Sequence, residues 1–164
     1  MINISFIGMA ACGKSTIGKA VANKIGVSFV DTDLLIEQKH EATLEEIKNK
    51  YDYKFVRDEE EKVRLGLTSS NRIISTGGSA VYSAKSMEHL KKFSKVLYIN
   101  TPLEIIMQRI DISQKRGLAV PEGMSIPEIY SEREPMYQKY CEIILDGSKT
   151  IDQLVGETIK QLHE

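Results

Sequence analysis

Residues 8–15 constrain the fold of this chain more than any other feature. They read Gly-Met-Ala-Ala-Cys-Gly-Lys-Ser, which fits the pattern G-x-x-x-x-G-K-[ST], after an apolar run of strand length and before a helical pattern. A loop in this position turns its backbone N–H groups inward, and the positive end of the helix adds to them. The segment, called the phosphate loop below, therefore predicts that Lys14 contacts the β- and γ-phosphates of a nucleotide and that Ser15 ligates Mg²⁺.

The rest of the chain alternates apolar runs with helical patterns, which is typical of parallel βαβ units. The predicted strands are residues 2–7, 28–30, 72–75, 95–99 and 142–145. Capping-box spacing predicts helix starts at Thr43, Thr101, Ser125 and Thr150, and the last helix has a predicted packing face of Ile151, Leu154, Val155, Ile159 and Leu162. We therefore expect an α/β fold with a five-stranded parallel sheet and helices on both faces, in a single domain over residues 1–164.

Two long stretches interrupt the alternation. Residues 33–67 are helical in pattern and are much longer than a minimal crossover, whereas residues 111–124 are polar and lack hydrophobic periodicity. Long segments of this kind in compact domains tend to be functional. The first is interpreted as a substrate-binding insertion and the second as a lid.

Charge and composition exclude several classes of partner. The 22 Lys and Arg residues nearly balance the 23 Asp and Glu residues, so the formal net charge is −1. Such a chain has no overall field that would attract nucleic acid or an anionic membrane, and no apolar run reaches the ~18 residues that a membrane span needs. The two cysteines form no disulfide framework. We expect a cytoplasmic monomer with a small-molecule substrate and with no nucleic-acid or membrane partner.

Two carboxylates, Asp31 and Asp33, follow the second predicted strand, at the sheet edge where open α/β sheets bind ligands. A spacing of two points both side chains to one face of an extended segment. One carboxylate could hold the water shell of a metal while the other orients an attacking hydroxyl and accepts its proton. A turn or a helix cap would use the same pair of residues.

Several segments in this order resemble shikimate kinases. They are the phosphate loop, residues 29–37, residues 55–60, residues 75–78, Arg116 and residues 133–137, so the resemblance covers most of the chain. It implies a P-loop nucleoside-kinase-like fold with strand order 2-3-1-4-5. It also implies ATP-dependent phosphorylation of shikimate to shikimate 3-phosphate, within aromatic amino acid biosynthesis.

The resemblance further implies roles for individual residues. It implies that ATP is bound by Gly8, Ala11, Cys12, Gly13, Lys14, Ser15, Thr16 and Arg109, with Arg109 near the adenine. It implies that Mg²⁺ is held by Ser15 and, through water, by Asp31. The acceptor would be bound by Asp33, Arg57, Gly77, Gly78 and Arg133, the two arginines gripping its carboxylate. The catalytic residues would be Lys14, Asp33 and Arg116, with Arg116 reaching the transferring phosphoryl group from the lid. Without the resemblance, Arg57 would be interpreted as half of a solvated ion pair within an acidic run.

The sequence departs from the family pattern at three positions. Ala11 stands where these kinases usually have a glycine, Ser79 replaces the third glycine of a Gly-Gly-Gly turn, and Gly117 replaces a proline of the lid. Ser79 is expected to add a side chain next to the acceptor. The sequence leaves open three alternatives to shikimate kinase: a related kinase of another hydroxyl acceptor, a nucleoside monophosphate kinase, and a non-catalytic ATP-binding regulatory module.

Overall fold

The structure, a computed structural model, describes residues 2–113 and 118–164, apart from the side chains of residues 111–113. The strands are β1 Asn3–Ile7, β2 Ser28–Asp31, β3 Arg72–Ser75, β4 Lys95–Asn100 and β5 Ile143–Asp146. The helices are α1 Lys14–Ile25, α2 Thr32–His40, α3 Leu44–Lys50, α4 Tyr53–Leu65, α5 Ala84–Lys91, α6 Leu103–Ser113, α7 Ile126–Tyr140 and α8 Ile151–Lys160, with a 3₁₀ turn at Ala80–Tyr82. In the described part of the chain, no helix combines the length and the apolarity that a membrane span requires.

The five strands form one parallel sheet in the order β2-β3-β1-β4-β5. Every residue of the central strand β1 is buried, as expected for a strand with helices on both faces of the sheet, whereas the edge strands are partly exposed. The predicted fold class and strand order are confirmed, and the predicted strand ends differ from the observed ones by at most one residue. The carboxyl ends of β1, β2 and β3 lie side by side, because Phe6 pairs with Ser75 and Asp31 pairs with Ser75 from the other side.

Three of the four predicted helix caps are confirmed. The hydroxyls of Thr43, Ser125 and Thr150 each accept a hydrogen bond of 3.2 Å from the backbone N–H three residues later. The prediction for Thr101 is wrong: α6 begins at Leu103, and the Thr101 hydroxyl donates to the carbonyl of Cys12 at 2.9 Å. This hydrogen bond connects the segment after β4 to the phosphate loop. The Thr101 hydroxyl therefore makes a tertiary contact in place of the predicted local cap.

Apolar side chains form a main core and a smaller second core. The main core lies between the sheet and the flanking helices. The second core contains the buried residues Ile36, Ile47, Val56 and Ala119, from α2, α3, α4 and the segment that follows residues 114–117. The helical stretch between β2 and β3, predicted from the sequence at residues 33–67, is thus a layer with its own packing.

Candidate active site

The phosphate loop has a backbone that requires glycine at two points. Gly8 and Gly13 have φ angles of 148° and 108°, in the region that favours glycine. A Cβ atom at Gly8 would also come within 2.8 Å of both the Cys12 sulfur and the Ile99 carbonyl oxygen. Ala11 takes a left-handed φ of 64°, which a non-glycine residue adopts at some cost. The backbone of the phosphate loop therefore has its curved conformation without a bound ligand.

Lys14 is buried inside this curve. Its Nζ atom donates to the carbonyls of Gly8 at 2.7 Å and Met9 at 2.8 Å, and it lies 3.7 Å from the Cys12 sulfur. The ammonium group is thus held by the loop backbone at the amino end of α1, where the helix dipole also favours anions. A phosphate bound here would replace these neutral carbonyl acceptors with anionic oxygens, so that both partners of each hydrogen bond would be charged.

Ser15 and Asp31 bring two oxygen groups together beside the loop. The Ser15 hydroxyl donates to Asp31 Oδ2 at 2.8 Å, while Asp31 Oδ1 accepts from the backbone N–H groups of Asp33 and Leu34 and so caps α2. The helix cap that the sequence left open as an alternative is therefore observed at Asp31, while its second carboxylate oxygen lies beside Ser15. Among the described residues there is no group of three or more His, Cys, Asp and Glu that could hold a metal. A hydroxyl with one carboxylate nevertheless fits Mg²⁺, which uses one or two protein oxygens and completes its shell with water and phosphate.

Asp33 carries an unpaired carboxylate oxygen in a confined position. Its Oδ1 atom is buried without a hydrogen-bond partner, and a Cβ atom at Gly77 would lie 2.5 Å from it and 3.2 Å from Glu60 Oε1. Burial, and then the negative charges of Glu60 and Asp31, raise the pKa of Asp33 to about 7, although Lys14 opposes them. A carboxyl group with a pKa near neutrality is suited to accepting a proton from a hydroxyl.

Two arginines meet on the ring of Tyr82. The Cζ atom of Arg57 lies 3.8 Å from the ring centroid, and that of Arg133 lies 5.3 Å from it. The Nε atom of Arg57 donates to the Ala119 carbonyl at 2.8 Å, so this residue is not the solvated ion pair considered as the alternative. Arg133 is fully buried, its Nη2 atom has no hydrogen-bond partner, and its Nη1 atom would be 2.8 Å from a Cβ atom at Gly78.

One cavity of about 730 Å³ joins these groups. The predicted site residues that line it are Ala11, Cys12, Gly13, Lys14, Ser15, Thr16, Asp31, Asp33, Gly78, Arg109 and Arg133. Gly8, Gly77 and Arg57 do not line it, but each contacts a residue that does: Lys14, Asp33 and Ala119, respectively. Arg109 is exposed, and its Nη1 atom donates to the Ala11 carbonyl at 2.9 Å. Arg116 and Gly117 lie outside the described residues.

The cavity contains residues that the sequence analysis missed. Glu60 lines it, and its position three residues after Arg57 on α4 could have placed it on the same helix face. Tyr137, four residues after Arg133 on α7, does not line the cavity, but its hydroxyl donates to the carbonyl of the lining residue Gly78 at 2.5 Å. Lys149 lines the cavity just after β5. Its place after the carboxyl end of a parallel strand, where ligands bind in open α/β sheets, could have identified it from the sequence.

The fold and the cavity together define a class of protein. A phosphate loop after β1, with carboxylates after β2 on a 2-3-1-4-5 sheet, is the architecture of a P-loop phosphotransferase. The family model for shikimate kinase matches residues 10–163 of this chain. The chain therefore belongs to the shikimate kinase family.

Individual relatives agree over nearly the whole length. The shikimate kinase of Clostridium botulinum strain Eklund 17B is 36% identical over 157 residues, which cover 96% of this chain and 94% of that protein. That of Persephonella marina is 30% identical and covers 99% of this chain and all of the relative. The solved structure of Acinetobacter baumannii shikimate kinase in complex with shikimate is 28% identical, with a TM-score of 0.89, covering 99% of this chain and 93% of that one. The Aquifex aeolicus enzyme is 26% identical, with a TM-score of 0.84 and 99% and 96% coverage.

Proposed function

We propose that this protein transfers the γ-phosphoryl group of ATP to a hydroxyl of shikimate, giving shikimate 3-phosphate and ADP. The observation that carries the proposal is that one cavity holds the phosphate loop, the unpaired carboxylate oxygen of Asp33 and the unpaired guanidinium nitrogen of Arg133. A hydroxy acid supplies a donor for the first of these unpaired atoms and an acceptor for the second.

The nucleotide side of the reaction is built from the phosphate loop. Lys14 neutralises charge on the β- and γ-phosphates, and the loop N–H groups bind their oxygens. Ser15 and Asp31 are the residues that would hold Mg²⁺, which would neutralise part of the negative charge of the phosphates. Arg109 and Lys149 line the part of the cavity that would take the adenosine.

The acceptor side uses Asp33 as general base. The acceptor hydroxyl gives its proton to Asp33 as its oxygen forms the new bond to the γ-phosphorus, and the bond from that phosphorus to the ADP oxygen breaks. Arg133 and Arg57 hold the acceptor's carboxylate, since planar guanidinium groups pair with both carboxylate oxygens. Gly78 presents its backbone N–H to the acceptor, and Gly77 leaves room for Asp33 because a side chain there would collide with its Oδ1 atom.

Two segments complete the proposal. Residues 33–67 hold the acceptor, an assignment that the second core and the positions of Asp33 and Glu60 support. Residues 111–124 act as a lid that brings Arg116 to the transferring phosphoryl group; α6 runs into this range and ends at Ser113. A closing lid of this kind excludes water from the phosphoryl transfer.

The proposal also includes a setting for the enzyme. The two cysteines are free, which suits a reducing compartment, so we infer a cytoplasmic enzyme. We propose in addition that it is a monomer and that it serves aromatic amino acid biosynthesis.

Steady-state release of ADP from MgATP tests the proposed function. We expect kcat/KM for shikimate to exceed that for gluconate, homoserine and nucleoside monophosphates by about 10²-fold or more, because the unpaired site groups reject acceptors that do not match them. Phosphorus NMR of the product would locate the phosphate. A higher kcat/KM for another acceptor would contradict the assignment of shikimate as the substrate. ATP binding without turnover of any acceptor would indicate a regulatory module.

A further inference from the structure

Ser79 is bonded to a carboxylate in the wall of the acceptor side of the cavity. Its side chain is only 4% exposed, and its hydroxyl donates to Oε2 of the buried residue Glu60. The other oxygen of the same carboxylate, Glu60 Oε1, lies at Gly77, on the same side as Asp33. A Cβ atom built at Gly77 would contact both Glu60 Oε1 and Asp33 Oδ1. One Glu60 oxygen is thus held by Ser79, while the other lies at Gly77, and Glu60 as a whole lines the cavity.

A second group competes for the same carboxylate. The guanidinium of Arg64, one turn further along α4, is fully buried, and its Nη1 atom lies 3.8 Å from Glu60 Oε2. That distance is too long for a hydrogen bond, and Arg64 Nη1 has no hydrogen-bond partner. On its other side, Arg64 is anchored by the hydrogen bond that its Nε atom donates to the Ser86 hydroxyl at 2.8 Å.

The direction of this competition follows from charge. A guanidinium with an unbonded nitrogen attracts a carboxylate strongly where both are buried, because little solvent screens them, and a direct hydrogen bond would bring the two atoms to about 2.8 Å. Because Arg64 is held on its other side by Ser86, such a bond would form by movement of the Glu60 carboxylate toward Arg64. The hydroxyl of Ser79 opposes that movement, because it holds Oε2 from the side of the Gly77–Ser79 turn.

We propose that Ser79 is a positioning residue for the acceptor, holding the Glu60 carboxylate against the pull of Arg64 so that Glu60 Oε1 stays beside Asp33. This inference rests on the proposed function. With Oε1 in place, the site offers two adjacent carboxylate oxygens, and an acceptor bearing neighbouring hydroxyls can donate one hydrogen bond to each. The side chain at this turn therefore selects for a second hydroxyl beside the one that is phosphorylated.

The first test measures the steady-state kinetics of Ser79→Ala and Ser79→Gly. Two variants are used so that the test can still be made if one of them fails to fold. We expect KM for shikimate to rise about three- to tenfold, the effect of one lost hydrogen bond, while KM for ATP stays within about twofold. Ser94→Ala is the matched control, since Ser94 is also a buried serine with a bonded hydroxyl but lies at the opposite end of the sheet. An unchanged KM for shikimate, or the same change in Ser94→Ala, would overturn the proposal.

A double-mutant cycle separates action through Glu60 from a direct effect of Ser79. In a Glu60→Gln background the charge that Arg64 attracts is gone, so adding Ser79→Ala should change KM for shikimate by less than about twofold. Effects of Ser79→Ala that are equal in both backgrounds would overturn the role assigned to Glu60.

A crystal structure of Ser79→Ala gives a readout that is independent of turnover. We expect the distance between Arg64 Nη1 and the nearest Glu60 oxygen to shorten from 3.8 Å to about 2.8 Å. A carboxylate that stays at Gly77 would overturn the proposal. The proposed function fails separately, in the wild type, if that protein does not phosphorylate shikimate.

Discussion

The nucleotide side and the acceptor side of the cavity differ in how their polar groups are paired. In the phosphate loop, the Lys14 ammonium is bonded to two backbone carbonyls and the Ser15 hydroxyl is bonded to Asp31. On the acceptor side, Asp33 Oδ1 and Arg133 Nη2 are buried without partners. Leaving a buried polar atom unpaired is costly, so the two sides store different amounts of unfavourable energy before any ligand binds.

This difference indicates different ways of gaining affinity. A nucleotide must replace internal hydrogen bonds, so its net gain comes from charge and from the helix dipole. An acceptor supplies bonds that the empty site lacks, so matching groups are rewarded and mismatched ones rejected. Changes on the nucleotide side should therefore affect the transfer step for every acceptor, whereas changes on the acceptor side should alter discrimination.

The largest expected effect comes from Asp33→Asn. Removing the general base should lower kcat by about 10²–10⁴, with KM for ATP within about twofold. Asp58→Asn is the control, because Asp58 is exposed on α4. Steady-state kinetics with both substrates would check this, and loss of ATP binding would mean that Asp33 serves the metal instead.

On the nucleotide side, Lys14→Met should lower kcat by about 10²–10³ because a buried positive charge next to the phosphates is lost. The affinity for shikimate without nucleotide, measured by calorimetry, should stay within about threefold if the two sides act separately. Lys24→Met, an exposed change near the end of the same helix, should match the wild type. A parallel loss of shikimate affinity would contradict the separation.

Within the acceptor side, Arg57→Met and Arg133→Met should each raise KM for shikimate about ten- to a hundredfold, with little change for ATP. The reason is the loss of a charge-assisted hydrogen bond to the acceptor's carboxylate. Arg72→Met, at the amino end of β3, is the control. Equal turnover of an uncharged acceptor by wild type and both variants, without a preference for shikimate, would argue against a carboxylate clamp.

The smallest expected effect concerns stability. Because the pKa of Asp33 is about 7 in the folded protein and its ordinary value is 3.8, folding favours the protonated carboxyl group, and that contribution is lost as pH rises toward and through 7. Asp33→Asn should therefore raise Tm more at about pH 8 than at about pH 5, by some 2–4 °C for each kcal/mol involved. Thermal unfolding without Mg²⁺ or nucleotide, with Asp58→Asn as control, would measure this. A constant offset at both pH values would mean that Asp33 ionises freely.

The alternation of strands and helices could be predicted from the sequence, because each strand or helix is indicated by the pattern of apolar residues within its own segment. Buried parallel strands require short apolar runs, and three helix caps were readable because each bond spans only three residues. The family resemblance supplied the strand order, which local pattern alone does not determine.

Contacts between distant segments were not predictable in the same way. Thr101 has the spacing of a cap, but its hydroxyl donates to a carbonyl 89 residues away. Ile151 fits the apolar face of α8, yet it is 49% exposed and lines the cavity, because the helix begins at the cavity edge. Tyr82 carries no motif, and its contacts with Arg57 and Arg133 exist only once three separate segments have packed together.

The second core, described with the fold, bears on how the molecule opens. It holds α2 and α3 on α4 through a small group of buried side chains, whereas β1 and β4 lie within the much larger main core. Elements that bury little apolar surface open at lower free energy than the whole protein unfolds. The amide hydrogens of α2 and α3 should therefore exchange with deuterium sooner than those of the central strands. Because Asp33 and Glu60 lie on this layer, bound acceptor should slow exchange there first, so its occupancy can be followed without turnover.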